Sequence, residues 1–158
     1  MVNTVCNVFE QLGYRYQKVV EKPIQTVYRL GMGLENGKVD CIVDIRIPDK
    51  QVLIFSTCPV NIPENKRKQI AEFITRANHN LILGSFELDF DDGELRFKSN
   101  YVYDDTYPQS EEIFIRNFLI SFRMMDKYIP GIMSVLYANL DPKIAITQIE
   151  NVTNPSMN

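Results

Sequence analysis

Residues Pro59–Tyr103 read PVNIPENKRKQIAEFITRANHNLILGSFELDFDDGELRFKSNYVY, and this stretch decides the fold class. It opens on a strand end, passes into an amphipathic helix and closes on a two-stranded hairpin. Pro63 suits the first helical position, where a missing N–H costs nothing, and Glu64 favours the positive end of the helix dipole. Ile70, Phe73, Ile74, Ala77 and Leu81 then recur as one apolar stripe, with Lys66, Glu72 and Arg76 off it, and Gly84 ends the segment. Such a helix is built to lie on a sheet. In the hairpin Phe86, Leu88 and Phe90 alternate with Glu87 and Asp89, and Leu95 and Phe97 alternate with Arg96 and Lys98. With Asp92-Gly93 as a two-residue turn, Phe90 faces Leu95, Leu88 faces Phe97, Asp89 faces Arg96 and Glu87 faces Lys98. Only Asp91 against Glu94 is then repulsive.

The preceding chain follows the same logic. Val5, Val8, Phe9 and Leu12 give a short one-sided helix over Val2–Leu12, stopped by Gly13. Tyr14–Lys22 alternates as a strand and Pro23 breaks it. A long hairpin comes next, Thr26–Leu34 returning as Val39–Ile47 about an Asn36-Gly37 type I′ turn. That turn sets Leu34 against Val39, Leu30 against Val43 and Arg29 against Asp44. Pro48-Asp49-Lys50-Gln51 reverses the chain into Val52–Cys58. An Asp49-Lys50 loop would place Ile45 opposite Ile54 and Cys41 opposite Cys58.

Toward the C-terminus, Ser110 with Glu111-Glu112 starts the last long helix. Ile113, Phe114, Ile115, Phe118, Leu119, Ile120, Phe122, Met124 and Met125 cover more than one of its faces, and Pro130-Gly131 is expected to kink or break it. Asp141-Pro142 caps a short final helix through Ile149, ahead of a frayed tail at 151–158. The expected architecture is α+β, in the order α-β-β-β-β-α-β-β-α-α: an antiparallel sheet of about six strands flanked by helices, in a single domain over residues 1–150.

Composition bounds the function. The chain has 158 residues, 45% apolar and 23% charged, with a net charge of −3, which argues against nucleic acid or an anionic membrane as the main partner. Lys66-Arg67-Lys68 reads as a solvated helix face. Three cysteines (Cys6, Cys41, Cys58) without C-x-x-C spacing point to free thiols in a reducing compartment. The N-terminus lacks a secretory pattern, and Arg116, Arg123, Asp126 and Lys127 interrupt the most apolar stretch. A cytoplasmic location is expected.

The search for chemistry finds structural explanations instead. The sole histidine, His79, sits where a helix C-terminus favours an imidazole, so no metal site is expected. Asp89, Asp91, Asp92 and Glu94 lack calcium-loop spacing and suit a solvated hairpin tip. GMGLENGKV is not a phosphate loop: five residues separate Gly31 from Gly37, and Val39 stands where a magnesium-binding hydroxyl belongs. No G-x-S-x-G elbow occurs, and Ser121 and Ser134 lie within the helical region. The Asn151-Val152-Thr153 sequon has no meaning without export. Tyr101, Tyr103 and Tyr107 suit a sheet margin. No catalytic residue and no cofactor are expected.

With that pattern in place, the chain resembles the YbjN family of bacterial sensory-transduction regulators over about Tyr14–Tyr137. The motif carriers are Pro63, Glu64, Arg67, Asn78, Gly84, Phe86, Glu87, Leu88, Asp89, Asp92, Gly93, Glu94, Arg96 and Phe97, and the closing DPKIAITQIE is similar to the short helix ending many relatives. The resemblance implies a type III secretion chaperone-like fold, often dimeric, with no catalytic or ligand-binding residues to transfer. Residues and resemblance together lead to a non-enzymatic module that binds another protein, as a homodimer. Phe114, Phe118, Phe122 and Met125 of the two-faced helix are its expected contact surface. The competing expectation is a small-molecule sensor, with a pocket between sheet and helices lined by Tyr28, Tyr101 or Tyr103.

Overall fold

The computed structural model describes residues 1–105 and 110–152. Among them are four helices and six strands in the expected order: α1 (Val2–Gln11), β1 (Gln17–Lys22), β2 (Gln25–Gly33), β3 (Lys38–Arg46), β4 (Gln51–Thr57), α2 (Glu64–His79), β5 (Ser85–Leu88), β6 (Leu95–Val102), α3 (Glu111–Tyr137) and α4 (Pro142–Val152). The fold is α+β. The strands form one sheet in the order β1-β2-β3-β4-β6-β5, with every neighbouring pair antiparallel. Thr106–Gln109, which include Tyr107, and the tail at 153–158 with its sequon threonine lie outside the described residues.

The helices share one side of the sheet. Phe9 of α1 stacks edge-on against Tyr28 of β2, α3 lies along β4 and β6, and α2 lies against β5. The sheet face beneath them is apolar: Leu30, Cys41, Val43, Ile45, Val52, Ile54, Leu95 and Phe97 are buried. Burial of this face, at roughly 25 cal/mol per Å² of apolar surface, is what holds the two layers together. Helix ends form where the sequence supplies caps. Gly13, with φ +70, ends α1 through bonds from Gly13 N–H to Glu10 and from Tyr14 N–H to Phe9. Ser110 Oγ accepts from Ile113 N–H at 3.3 Å, and Asp141 Oδ1 accepts from Lys143 N–H at 2.9 Å. Pro63 is the extended residue before α2 rather than its first helical one, a difference of a single position.

The β2–β3, β3–β4 and β5–β6 hairpins differ from the expected register in the same way. Leu30 faces Cys41 rather than Val43, Ile45 faces Val52 rather than Ile54, and Leu88 faces Leu95 rather than Phe97. Each strand pair has slipped by two residues, which keeps every side chain on its expected face, so hydrophobic alternation is blind to the change. Turn chemistry decides the matter. A type I′ turn needs two successive residues at positive φ, whereas the loops that lead into β4 and β6 each put only one there, Lys50 (φ 51) and Gly93 (φ 81). Gly37 has no positive φ at all. As a result Arg29 pairs with Asp40 and not Asp44, Cys41 faces Ser56 and not Cys58, and Phe90 lies 53% exposed in the loop. Cys41 and Cys58 are buried free thiols.

Pro130 does not break the last long helix, because α3 runs unbroken from Glu111 to Tyr137. Proline removes the N–H that would reach the carbonyl four residues back, at Asp126. Asn36 supplies the missing donor: its Nδ2 reaches Asp126 O at 3.2 Å, and its backbone N–H reaches Asp126 Oδ1 at 2.8 Å. The asparagine expected to shape a tight turn instead completes a helix ninety positions away in sequence.

Candidate interaction surface

The motif around α2 and the second hairpin is a cross-brace. Arg67 donates from Nε to Ile62 O at 3.2 Å and from Nη1 to Phe90 O at 2.6 Å, tying the helix start to the hairpin loop. Gly93 lies so close to Ile62 that a Cβ would stand 2.1 Å from its carbonyl oxygen. Asp89 and Asp92 accept from the backbone N–H groups of Asp91 and Glu94 at 2.7 and 2.8 Å, which accounts for the acidic tip. Arg96 bonds Glu87 and Glu94, and Lys98 also reaches Glu87. Burial pushes the Glu87 carboxyl up, but the bonds from Lys98 and Arg96 outweigh it and leave the group below its ordinary value.

Asn78 has a role that sequence alone does not suggest. Its Nδ2 donates to Phe86 O at 3.0 Å while its Oδ1 accepts from Phe86 N–H at 2.8 Å. A side-chain amide thus imitates a neighbouring strand on β5, the last strand of the sheet, and closes an edge open to unwanted pairing.

The expected contact surface on α3 is interior. Phe114, Phe118 and Met125 are fully buried, and Phe122 is 3% exposed. Phe118 meets Phe9, Tyr14, Phe114 and Phe122 in one aromatic cluster. The helix is apolar on several faces because α1, α2, α4, β4 and β6 all pack against it within one chain. The tyrosines expected to line a pocket are tied into packing as well. Tyr28 is fully buried with its hydroxyl 3.0 Å from Cys6 Sγ, and Tyr101 hydroxyl reaches Met1 Sδ at 3.6 Å. Burial raises the pKa of Tyr28, Tyr101 and Tyr103. A hollow of about 640 Å³ lies between α2 and α4 instead, with His79 and Lys143 on its walls.

Cys41, Cys58 and Ser121 are buried. Burial pushes the Cys41 thiol well up and Cys58 up, away from the nucleophilic thiolate. Ser121 Oγ, fully buried, donates to Phe118 O at 2.9 Å and pairs with Ser56 Oγ at 3.0 Å. Among the described residues no group of three or more His, Cys, Asp or Glu side chains could hold a metal ion, and no helix is long and apolar enough to cross a membrane.

What remains is the sheet's other face. Ile42 on β3 stands opposite Phe55 on β4, Leu53 lies between Asp44 and Asn100, and Val102, 71% exposed, follows on β6. These side chains form an apolar strip across three strands, while Val27 on β2, 9% exposed, is set apart from Leu53 by Asp44. Arg96 lies over the Phe55 ring at 4.5 Å and borders the strip on one side. Beside Leu53, Asp44, 7% exposed, accepts from Gln25 Nε2 at 2.9 Å and Arg46 Nε at 3.2 Å. The sequence carried a signal for this surface in the unbroken runs Cys41-Ile42-Val43 and Val52-Leu53-Ile54-Phe55, which read as strands apolar on both faces. One face meets the helices. The other carries no helix among the described residues, and Ile42, Leu53 and Phe55 are partly exposed on it.

A family model described as "Putative bacterial sensory transduction regulator" matches residues 2–130. The chain belongs to the YbjN family. The match begins at Val2, so it takes in α1, and it stops at Pro130, so the closing DPKIAITQIE lies beyond it. The comparison with curated proteins returned no match. The YbjN match spans the cross-brace, the Asn78 clasp and the apolar strip alike.

Proposed function

We propose that this YbjN chain is a non-enzymatic cytoplasmic regulator that acts by binding another protein across the open face of its sheet. The observation behind this reading is the strip of Ile42, Leu53, Phe55 and Val102, which crosses three strands with polar groups beside it. Apolar side chains gathered on one open face, rimmed by polar groups, mark protein contacts more often than scattered ones do. The burial of Phe114, Phe118, Phe122 and Met125 moves the proposed contact from α3 to the sheet. Self-association, where it occurs, uses this same face.

A photoreactive phenylalanine analogue in place of Leu53 tests the reading against the same analogue at Tyr137, which is 72% exposed on the helix side. Irradiation in the native cytosol is expected to yield a defined adduct from position 53, absent from position 137 and lost when Phe55→Glu is added. Equal labelling from both positions, or none from position 53, refutes it. Light scattering on wild type and Phe55→Glu separates a second copy from a different partner.

A further inference from the structure

Two glycines on the open face have no internal reason to be there. Gly31 and Gly33 lie in the middle and at the end of β2, pointing outward opposite Asp40 and Lys38. Neither has a positive φ, and the β2–β3 ladder runs through them without a bulge. A Cβ built on either would meet nothing within 4 Å, so internal packing does not exclude a side chain. Glycine weakens a strand, and where it serves neither a bend nor internal packing it marks the close approach of something external.

The space above them is a trough. A hollow of about 630 Å³, bordered by Gly31, Gly33, Lys38 and Pro59, meets a second of about 480 Å³, bordered by Arg15, Tyr16 and Arg29. The two share Gly31 and Asp40, so they adjoin across the strands, from the start of β1 over β2 and β3 to the end of β4. In a chain of net charge −3 this trough is basic. Arg29 is engaged by Asp40, the one acid on its walls, while the exposed side chains of Arg15 and Lys38 make no hydrogen bond or ion pair with the described residues.

We infer that this trough binds an extended acidic segment of a partner protein, with a flat aromatic side chain of that segment lying on the bare backbone of Gly31 and Gly33. The elongated form suits a peptide strand, and the two glycines expose roughly 6.6 Å of strand with no side chain on that face. Arg15 and Lys38, one on each hollow, attract carboxylates by long-range electrostatics. This deepens the protein-binding reading of the open face by naming the chemistry of the partner.

Display of random dodecapeptides tests it, with selection on the wild-type chain followed by fluorescence anisotropy of the enriched peptides. The expected result is enrichment of acidic sequences containing Phe, Tyr or Trp, whose affinity falls at least tenfold in a Gly31→Val, Gly33→Val double variant. Valine suits a strand, so that variant is expected to melt at the wild-type temperature or above it. An Arg15→Gln, Lys38→Gln variant tests the same site by charge alone and is expected to lose a comparable factor. Enrichment without acidic or aromatic bias, no enrichment, or equal binding by wild type and both variants overturns the trough. Such a failure alongside a specific crosslink from position 53 leaves the wider face standing. Loss of that crosslink with the acidic selection intact removes the wider face and keeps the trough.

Discussion

Replacing Asn78 by alanine removes both bonds to Phe86 and reopens the edge of β5. Each backbone group left without a partner costs about 1–3 kcal/mol when buried. Asn78 is only half-buried, so the lower part of that range applies, giving about 3 kcal/mol for the pair. Alanine returns about 0.5 kcal/mol through its better helix propensity, leaving a net loss of about 2.5 kcal/mol. For a domain of this size the melting temperature should fall by about 5–10 °C. Asn78→Asp separates the two bonds. The carboxylate still accepts from Phe86 N–H but confronts the Phe86 carbonyl with a second acceptor, and protonation at low pH restores a donor. Urea unfolding followed by circular dichroism measures the loss, with an unchanged dependence on denaturant as the sign that the folded state alone is affected. Hydrogen exchange at the Phe86 amide reports the clasp directly. A stability for Asn78→Ala within about 0.5 kcal/mol of wild type, with Phe86 still protected, would refute the edge-closing role.

Two further tests address the same scaffold. Asn36→Ala should cost about 1 kcal/mol in the wild type and distinctly less in a Pro130→Ala background, where the restored N–H can reach the Asp126 carbonyl. A double-mutant cycle with a coupling of about 0.5–1 kcal/mol is the expected outcome, and strict additivity would contradict the pairing. Glu87, whose folded pKa is lowered by Lys98 and Arg96 against the opposing effect of burial, contributes stability that is present above its unfolded pKa. That contribution is lost as the pH falls through the folded value, so wild type should weaken on acidification below about pH 4.5 more steeply than Glu87→Gln. Parallel slopes in thermal melts across that range would show that the cluster is thermodynamically silent.

How much of this was legible in the sequence depends on which physical rule wrote each feature. Element order, the Ser110 and Asp141 caps and the inward faces of the strands follow from local periodicity and capping, and all were readable. Register was readable only to within its parity, because two-residue and four-residue loops leave identical in-and-out patterns. The positive φ at Lys50 emerges from the assembled loop and not from a glycine. Pro130 was read by its local cost, yet the donor that offsets it comes from Asn36, across the fold. On the candidate surface, the apolar abundance of α3 was visible but its cause was not: five neighbouring elements divide its circumference. The strip on the open face was present in the apolar runs of β3 and β4, and only the one-sided placement of the helices turns those runs into a surface.

The central position of α3 also governs how the chain comes into being on the ribosome. All six strands, from Gln17 to Val102, are synthesised before the helix that covers them, which is complete only at Tyr137. At about 5–20 residues per second the nascent sheet waits a few seconds with its oily side bare. During that interval both of its faces are sticky, and holding factors that bind apolar strands have their best opportunity. A released chain that ended before Glu111 would therefore leave β4 and β6 bare and prone to aggregation, whereas one that includes α3 carries a covered sheet.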